Sequence, residues 1–135
     1  MGKARARAEA EVSVTFDTGA LIALERGDSR MLALLQLLAR HAGCIRVPAG
    51  VVGQAWRGGA RQAVLARLFT SPQVQVPSLD LAMGRACGEL CAERGTSDVV
   101  DASVVLVARE HHDAIVTSDV DDLRRLDPSA QLELI

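Results

Sequence analysis

The sequence predicts an α/β protein, a three-layer α/β/α sandwich built on a mainly parallel central sheet. Two observations carry this prediction. Short β-like runs alternate with helix-like runs along the chain, the pattern of parallel strands joined by crossover helices. Four junctions also place an aspartate, or the neutral glutamine, where an apolar run gives way to a polar turn. They are Val14-Thr15-Phe16-Asp17, Val51-Val52-Gly53-Gln54, Asp98-Val99-Val100-Asp101-Ala102 and Ile115-Val116-Thr117-Ser118-Asp119. A parallel sheet brings such turns to one edge, so carboxylates from opposite ends of the sequence could meet there.

The elements follow in order. Glu11 to Phe16 alternates and then turns apolar, as a first strand does. Asp17-Thr18-Gly19 is a turn and cap signal ahead of a short helix, Ala20 to Glu25. Asp28-Ser29 can cap a second helix whose apolar face is Met31, Leu32, Leu34, Leu35, Leu37 and Leu38. Gly43 ends it, and Cys44 to Val47 reads as a second strand. Pro48 suits the first turn of a third helix reaching about Arg57. Gly58-Gly59 breaks the chain before a helical run, Ala60 to Phe69.

Pro72 to Val76 reads as a third strand. Ser78 can cap a long helix to Arg94, which Gly95 stops. Thr96-Ser97 can cap the next, Asp98 to His111, which is apolar nearly all round and should be well buried. Ala114 to Thr117 is a fourth strand, Asp121 to Leu126 one or two helical turns, and Leu132 to Ile135 a last edge strand.

At 135 residues and 49% hydrophobic content, the chain suits one domain with a proper core. That domain is assigned to 12–135. Residues 1–11 are polar and charge-mixed, and are expected to be a flexible N-terminal extension. No apolar stretch reaches the roughly 18 residues of a membrane span, and the first residues hold no apolar signal segment. A cytoplasmic protein with no membrane partner is expected. Cys87 and Cys91 stand four apart on a helix, but no second ligand pair lies nearby in sequence. Buried free thiols are the better reading of them.

The charges are unevenly distributed. Ser29 to Leu79 contains no Asp or Glu, while Arg30, Arg40, Arg46, Arg57, Arg61 and Arg67 stand there. The acids concentrate from Asp80 onward. Arginine's fork pairs two phosphate oxygens at once, so the basic block suits a phosphate-bearing partner; an ordinary solvated surface is the bland alternative.

Asp17 directly follows strand one and Asp119 follows strand four by one residue, so both belong at the same sheet edge. Asp98 and Asp101 share a face in the first turn of one helix. Capping could account for Asp17, Asp119 and Asp98 singly. It does not readily account for Asp101, for which a buried ion pair is the main bland reading. Asp121 and Asp122 read as solvated. Together the acids suit a hard cation, which prefers oxygen ligands and can activate water at a phosphodiester.

The stretches Phe16-Asp17-Thr18-Gly19-Ala20-Leu21-Ile22-Ala23-Leu24, Asp101-Ala102-Ser103-Val104-Val105 and Val116-Thr117-Ser118-Asp119, in this order and spacing, resemble PIN-domain proteins. They are particularly similar to the VapC toxins of bacterial type II toxin–antitoxin pairs. The likeness covers residues 12 to 135. It implies a Mg²⁺- or Mn²⁺-dependent endoribonuclease and toxin, acting as a homodimer on RNA and silenced by a VapB-like antitoxin. It also implies that Asp17, Asp101 and Asp119 are the catalytic, metal-holding acids, and that Thr117 is the hydroxyl residue before the last of them. Gln54 falls where such proteins carry a second acid, a glutamate. Glutamine offers a carbonyl or a hydrogen bond but no charge.

Asp98 and Asp122 are further candidates for the metal. Arg57, Arg61 and Arg67 are candidates for holding the RNA backbone, with Thr117 and Gln54 beside the substrate. Because Gln54 is neutral, a second reading stays open: a PIN-like domain impaired in catalysis that serves as an RNA- or protein-binding module. A receiver domain and a haloacid-dehalogenase-type phosphatase are disfavoured, since both need a late lysine and the only lysine is Lys3.

Overall fold

The computed structural model describes residues 12–135; the proposed extension 1–11, and Glu11 at the start of strand one, lie outside the described residues. The strands are β1 (Ser13–Phe16), β2 (Cys44–Arg46), β3 (Val74–Gln75), β4 (Ala114–Thr117) and β5 (Leu132–Leu134). They form one sheet in the order β3-β2-β1-β4-β5, and every pairing is parallel. The helices are α1 (Thr18–Glu25), α2 (Ser29–Arg40), α3 (Ala49–Ala55), α4 (Ala63–Phe69, preceded by a 3₁₀ turn at Ala60–Gln62), α5 (Leu81–Arg94), α6 (Val99–His111) and α7 (Val120–Leu126).

Helices flank both faces of the sheet. α1 packs on β1 and β4 and gathers α2, α3 and α4 around it; α6 packs on the same two strands and is backed by α5 and α7. β1 lies at the centre with no face to water: Val14, Thr15 and Phe16 are all buried. The core runs from Phe16, Leu21, Leu24 and Met31 through Ile45, Val47 and Val51 to Val104, Ile115 and Leu123. This is the α/β/α sandwich expected of alternating strands and helices.

The chain adds β2 and β3 on one side of β1, then returns to place β4 on the other. The switch in winding direction therefore falls between β1 and β4. At such a switch the connections leave in opposite directions and open a crevice beyond the strands' carboxyl ends. Phe16 registers with Val116, so the residues that follow, Asp17 and Thr117 to Asp119, share that crevice.

Several boundaries differ from the sequence reading, each for a local reason. α5 is capped by Asp80, whose carboxylate accepts from Met83 N at 2.9 Å, and not by Ser78. α6 is capped by Asp98 rather than by Thr96 or Ser97. In both cases a carboxylate satisfies free N–H groups of the first turn and also meets the positive end of the helix dipole. α2 ends at Arg40, and Ala42, not Gly43, takes the left-handed backbone (φ 51°). Gly43 is needed for space instead: a Cβ there would lie 2.9 Å from the Val12 carbonyl oxygen. Arg57 lies beyond the end of α3, and strand three shrinks to two residues.

The face of α2 is narrower than its leucines suggested. Met31 and Leu38 are buried and Leu34 and Leu35 pack partly on the core, whereas Leu32 and Leu37 are exposed. α6 is well buried along most of its length, with Val99 exposed at its start. Cys87 and Cys91 are free, buried thiols. No helix among the described residues is long and apolar enough to cross a membrane.

Candidate metal centre

The crevice at the switch point holds a cleft of about 130 Å³ lined by Asp17, Thr18, Gly19, Asp101, Ser118, Asp119, Asp122 and Leu123. Asp17 is buried at the end of β1. Its backbone N–H donates to the Val116 carbonyl at 3.3 Å, which ties it to β4. Its carboxylate caps α1 by accepting from Ala20 N at 2.8 Å. The N-cap role foreseen for this residue is therefore real, and it fixes the carboxylate at the cleft wall.

Asp101 reaches the cleft from the first turn of α6. Asp98 caps that helix, accepting from Asp101 N at 2.9 Å, so the two acids share one turn. Asp119 opens α7 but makes no side-chain cap hydrogen bond. The loop before it is held by the fully buried Thr117, whose hydroxyl accepts from Asp119 N at 2.9 Å and donates to Asp119 O at 3.1 Å. Asp122 is exposed, as its solvated reading required, yet it lines the same cleft.

Among the described residues, no arginine forms an ion pair with these acids, although Arg125 partly offsets the charge near Asp122. The ion pairs among the described residues join Arg30 to Asp28, Arg46 to Asp113 and Arg109 to Asp127. A buried ion pair for Asp101 is absent from that set. Instead, burial pushes the Asp101 carboxyl up to about 7, helped by the charge of Asp98 and then of Asp17 and Asp122. Burial also raises Asp17, against hydrogen bonding from Thr117 and Ala20 that favours its charged form. Asp119 raises Asp122. Mutual repulsion of this kind is relieved by protons or by a cation.

Among the described residues, no three His, Cys, Asp or Glu side chains stand ready as a complete cage for an ion. Mg²⁺ can be held by one or two carboxylates, with water and substrate phosphate completing its shell. An oxygen-only donor set that lines one cleft, with no ion-pair partner among the described residues, fits a hard divalent cation of this class.

Thr18 is a cleft residue, and its hydroxyl donates to Gln54 Oε1 at 2.5 Å. Gln54 thus stands one contact behind the cleft wall, without lining it. Asp98 also stands one residue back, acting through Asp101. Arg57, Arg61 and Arg67 are exposed and line no part of the cleft. Arg57 lies against the end of α3, where Nη1 donates to Gly53 O at 3.1 Å and Trp56 O at 2.8 Å. Trp56 is half-exposed beside Phe69, their ring centroids 6.1 Å apart.

The sequence reading assigned no role to Ser118 or Gly19 in the cleft. A Cβ on Gly19 would lie 2.3 Å from Ser118 Oγ, so a glycine lets the start of α1 approach the β4–α7 turn. The signal was present in both places, in the turn Asp17-Thr18-Gly19 and in the single residue between Thr117 and Asp119. Wider hollows exist, including one of about 560 Å³ bordered by Arg109, Asp113 and Asp127 at the other end of β4. Both acids there are already paired with arginine.

The PIN domain family matches residues 14–128. The chain belongs to the PIN-domain family. Its fold resembles a chain of VapBC2 from Rickettsia felis, solved bound to a DNA fragment from the promoter of that pair. The TM-score is 0.67 at 16% identity, over 91% of this chain and 98% of that one. It also resembles VapC20 of Mycobacterium tuberculosis, a toxin that cleaves the sarcin-ricin loop. There the TM-score is 0.59 at 23% identity, over 80% of this chain and 89% of that one. No curated protein matches the sequence. The PIN-domain resemblance read from the three motifs therefore holds across nearly the whole chain.

Proposed function

We propose that this PIN-domain protein is a metal-dependent endoribonuclease and the toxin of a toxin–antitoxin pair. The observation that carries the reading is the set of four carboxylates, Asp17, Asp101, Asp119 and Asp122, around one cleft at the β1/β4 switch point, none in an ion pair with another described residue. Asp17, Asp101 and Asp119 are the residues to hold Mg²⁺ or Mn²⁺, with Asp98 and Asp122 at its margin. Once bound, the ion would offset the phosphodiester's charge and make a bound water acidic enough to attack it.

The chain's own residues have distinct tasks in this reading. Asp17 is immobilised by its cap bond to Ala20, so one ligand direction is set before binding. Thr117 holds the turn that presents Asp119. Asp101, its carboxyl pushed up to about 7 by burial, is partly protonated at neutral pH, and a bound cation would displace that proton. Arg57, Arg61 and Arg67 stand outside the cleft and suit a longer contact with the RNA backbone, which positions the strand without reading its sequence. A VapB-like antitoxin and a second copy of the chain are the proposed protein partners. The exposed Leu32 and Leu37 of α2 offer apolar surface to such a partner.

The second reading, a binding module without catalysis, draws on the neutral Gln54 and on the incomplete cage. RNA cleavage measured with and without Mg²⁺ or Mn²⁺, with Asp101→Asn as control, separates the two. Metal-dependent cutting that this variant loses supports the nuclease. RNA left intact with either metal, despite tight binding, supports the module.

A further inference from the structure

We propose that Gln54 serves this cleft as a donor to an RNA phosphate, and not as a ligand to the metal. The inference rests on the nuclease reading and concerns how the substrate is held. The cleft is rich in acceptors: four carboxylates line it. Phosphate oxygens are acceptors too, so beyond the cation an RNA strand has to be met by N–H and O–H groups on the rim.

Gln54 stands one contact behind Thr18 of the cleft wall, and is exposed. Its carbonyl oxygen takes the hydroxyl of Thr18, the residue after Asp17, at 2.5 Å. That contact takes one of the oxygen's two lone pairs and orients the carboxamide, turning the NH₂ end away from Thr18. The NH₂ end donates to no acceptor among the described residues, and Gln54 is exposed. α3, which carries it, packs against α1, capped by Asp17, and α6, which bears Asp101. Thr18 belongs to α1, and on the other side Gly50 meets Val100 of α6, where a Cβ would lie 3.2 Å from Val100 Cγ2. Arg57 lies just beyond the end of α3, its guanidinium held by Gly53 O and Trp56 O outside the cleft. A neutral donor adds no repulsion toward phosphate, whereas a carboxylate at the same place would.

The test uses two binding measurements on the full chain. The first is affinity for a labelled random-sequence RNA pool, in EDTA and at low salt so that nothing is cut. The second is Mn²⁺ affinity by electron paramagnetic resonance. Gln54→Ala is expected to weaken RNA binding about tenfold, the loss of one hydrogen bond to a charged oxygen, and to leave Mn²⁺ affinity within twofold. Thr18→Val is expected to weaken RNA binding less, and Thr18→Ser to restore it, since the hydroxyl positions the carboxamide. Unchanged RNA affinity in Gln54→Ala overturns the proposal, as does a tenfold loss of Mn²⁺ affinity, which would make Gln54 a ligand. A wild-type chain that binds neither Mn²⁺ nor RNA removes the nuclease reading itself, an outcome visible before any variant is made.

Discussion

Arg46 and Asp113, 67 positions apart, form a part-buried ion pair in which Arg46 Nη1 lies 3.0 Å from both oxygens of the buried Asp113 carboxylate. Ser13 and Thr15 also donate their hydroxyls to Asp113, the latter at 2.8 Å. Three neighbouring strands, β2, β1 and β4, are thus tied together by one carboxylate, which sits just before the amino end of β4. Past the carboxyl ends of β1 and β4 the arrangement is the opposite: acids with no ion-pair partner among the described residues.

Removing one partner of this network is expected to be costly. Asp113→Ala leaves the Arg46 guanidinium buried beside two orphaned hydroxyls, and Arg46 Nε already lacks a partner. A loss of about 3–5 kcal/mol is expected, measured by urea unfolding. The double variant Arg46→Met/Asp113→Leu should recover much of it. A loss under about 1 kcal/mol in Asp113→Ala would show that the pair contributes little.

Asp101→Asn should abolish metal-dependent RNA cleavage and yet make the metal-free protein more stable. The amide removes a charge repelled by Asp98, Asp17 and Asp122. Because Asp101 is partly solvated, the gain should be about 1 kcal/mol and not the full value of the shift. Thermal unfolding in EDTA checks the stability, and gel assays check the cleavage. Wild-type cleavage rates in this variant would remove Asp101 from the mechanism.

The same group sets a pH dependence. Its folded pKa of about 7 lies above the ordinary 3.8, so between these values the folded chain holds more protons than the unfolded one. Stability then falls as pH rises through this window. Without metal, the wild type should lose stability from about pH 4 to 7 relative to Asp101→Asn, and the difference should level off above that range. A constant difference across the range would contradict the raised pKa.

Mn²⁺ should stabilise the wild type at neutral pH by occupying the folded cleft alone. At a hundred times its dissociation constant the gain is about 2.7 kcal/mol. Calorimetry in buffers of different ionisation heat should also show proton release on binding near neutral pH, since the ion displaces the Asp101 proton. Absence of any shift in melting temperature with Mn²⁺ would argue against a metal centre here.

Arg57→Ala and Arg61→Ala should each weaken RNA binding similarly across sequences. Each should also reduce the slope of log affinity against log salt by about 1. An effect confined to one RNA sequence would instead indicate that these arginines read bases.

Much of this was legible before folding. The motif ending in Phe16-Asp17 and the one ending in Thr117-Ser118-Asp119 announced strand ends carrying acids, because β-branched and apolar runs stop where a capping residue begins. Asp101 stood out because a lone acid on a valine-coated helix has no local explanation. Local chemistry misled where two capping residues competed, as Ser78 did with Asp80. It was silent about Asp113, which in sequence is one more polar residue before a strand.

The sequence by itself determined the alternation of strands and helices, the three acids at their junctions and the glutamine among them. These depend on periodicity and capping, which act within a few residues. Only the tertiary structure decided that Asp122 joins Asp17, Asp101 and Asp119 in one cleft, that Gln54 is held by Thr18, and that Arg57 leans on α3 and does not enter the cleft. Those outcomes depend on strand order and on helices crossing at a switch point, where residues distant in sequence meet through packing that no local pattern encodes.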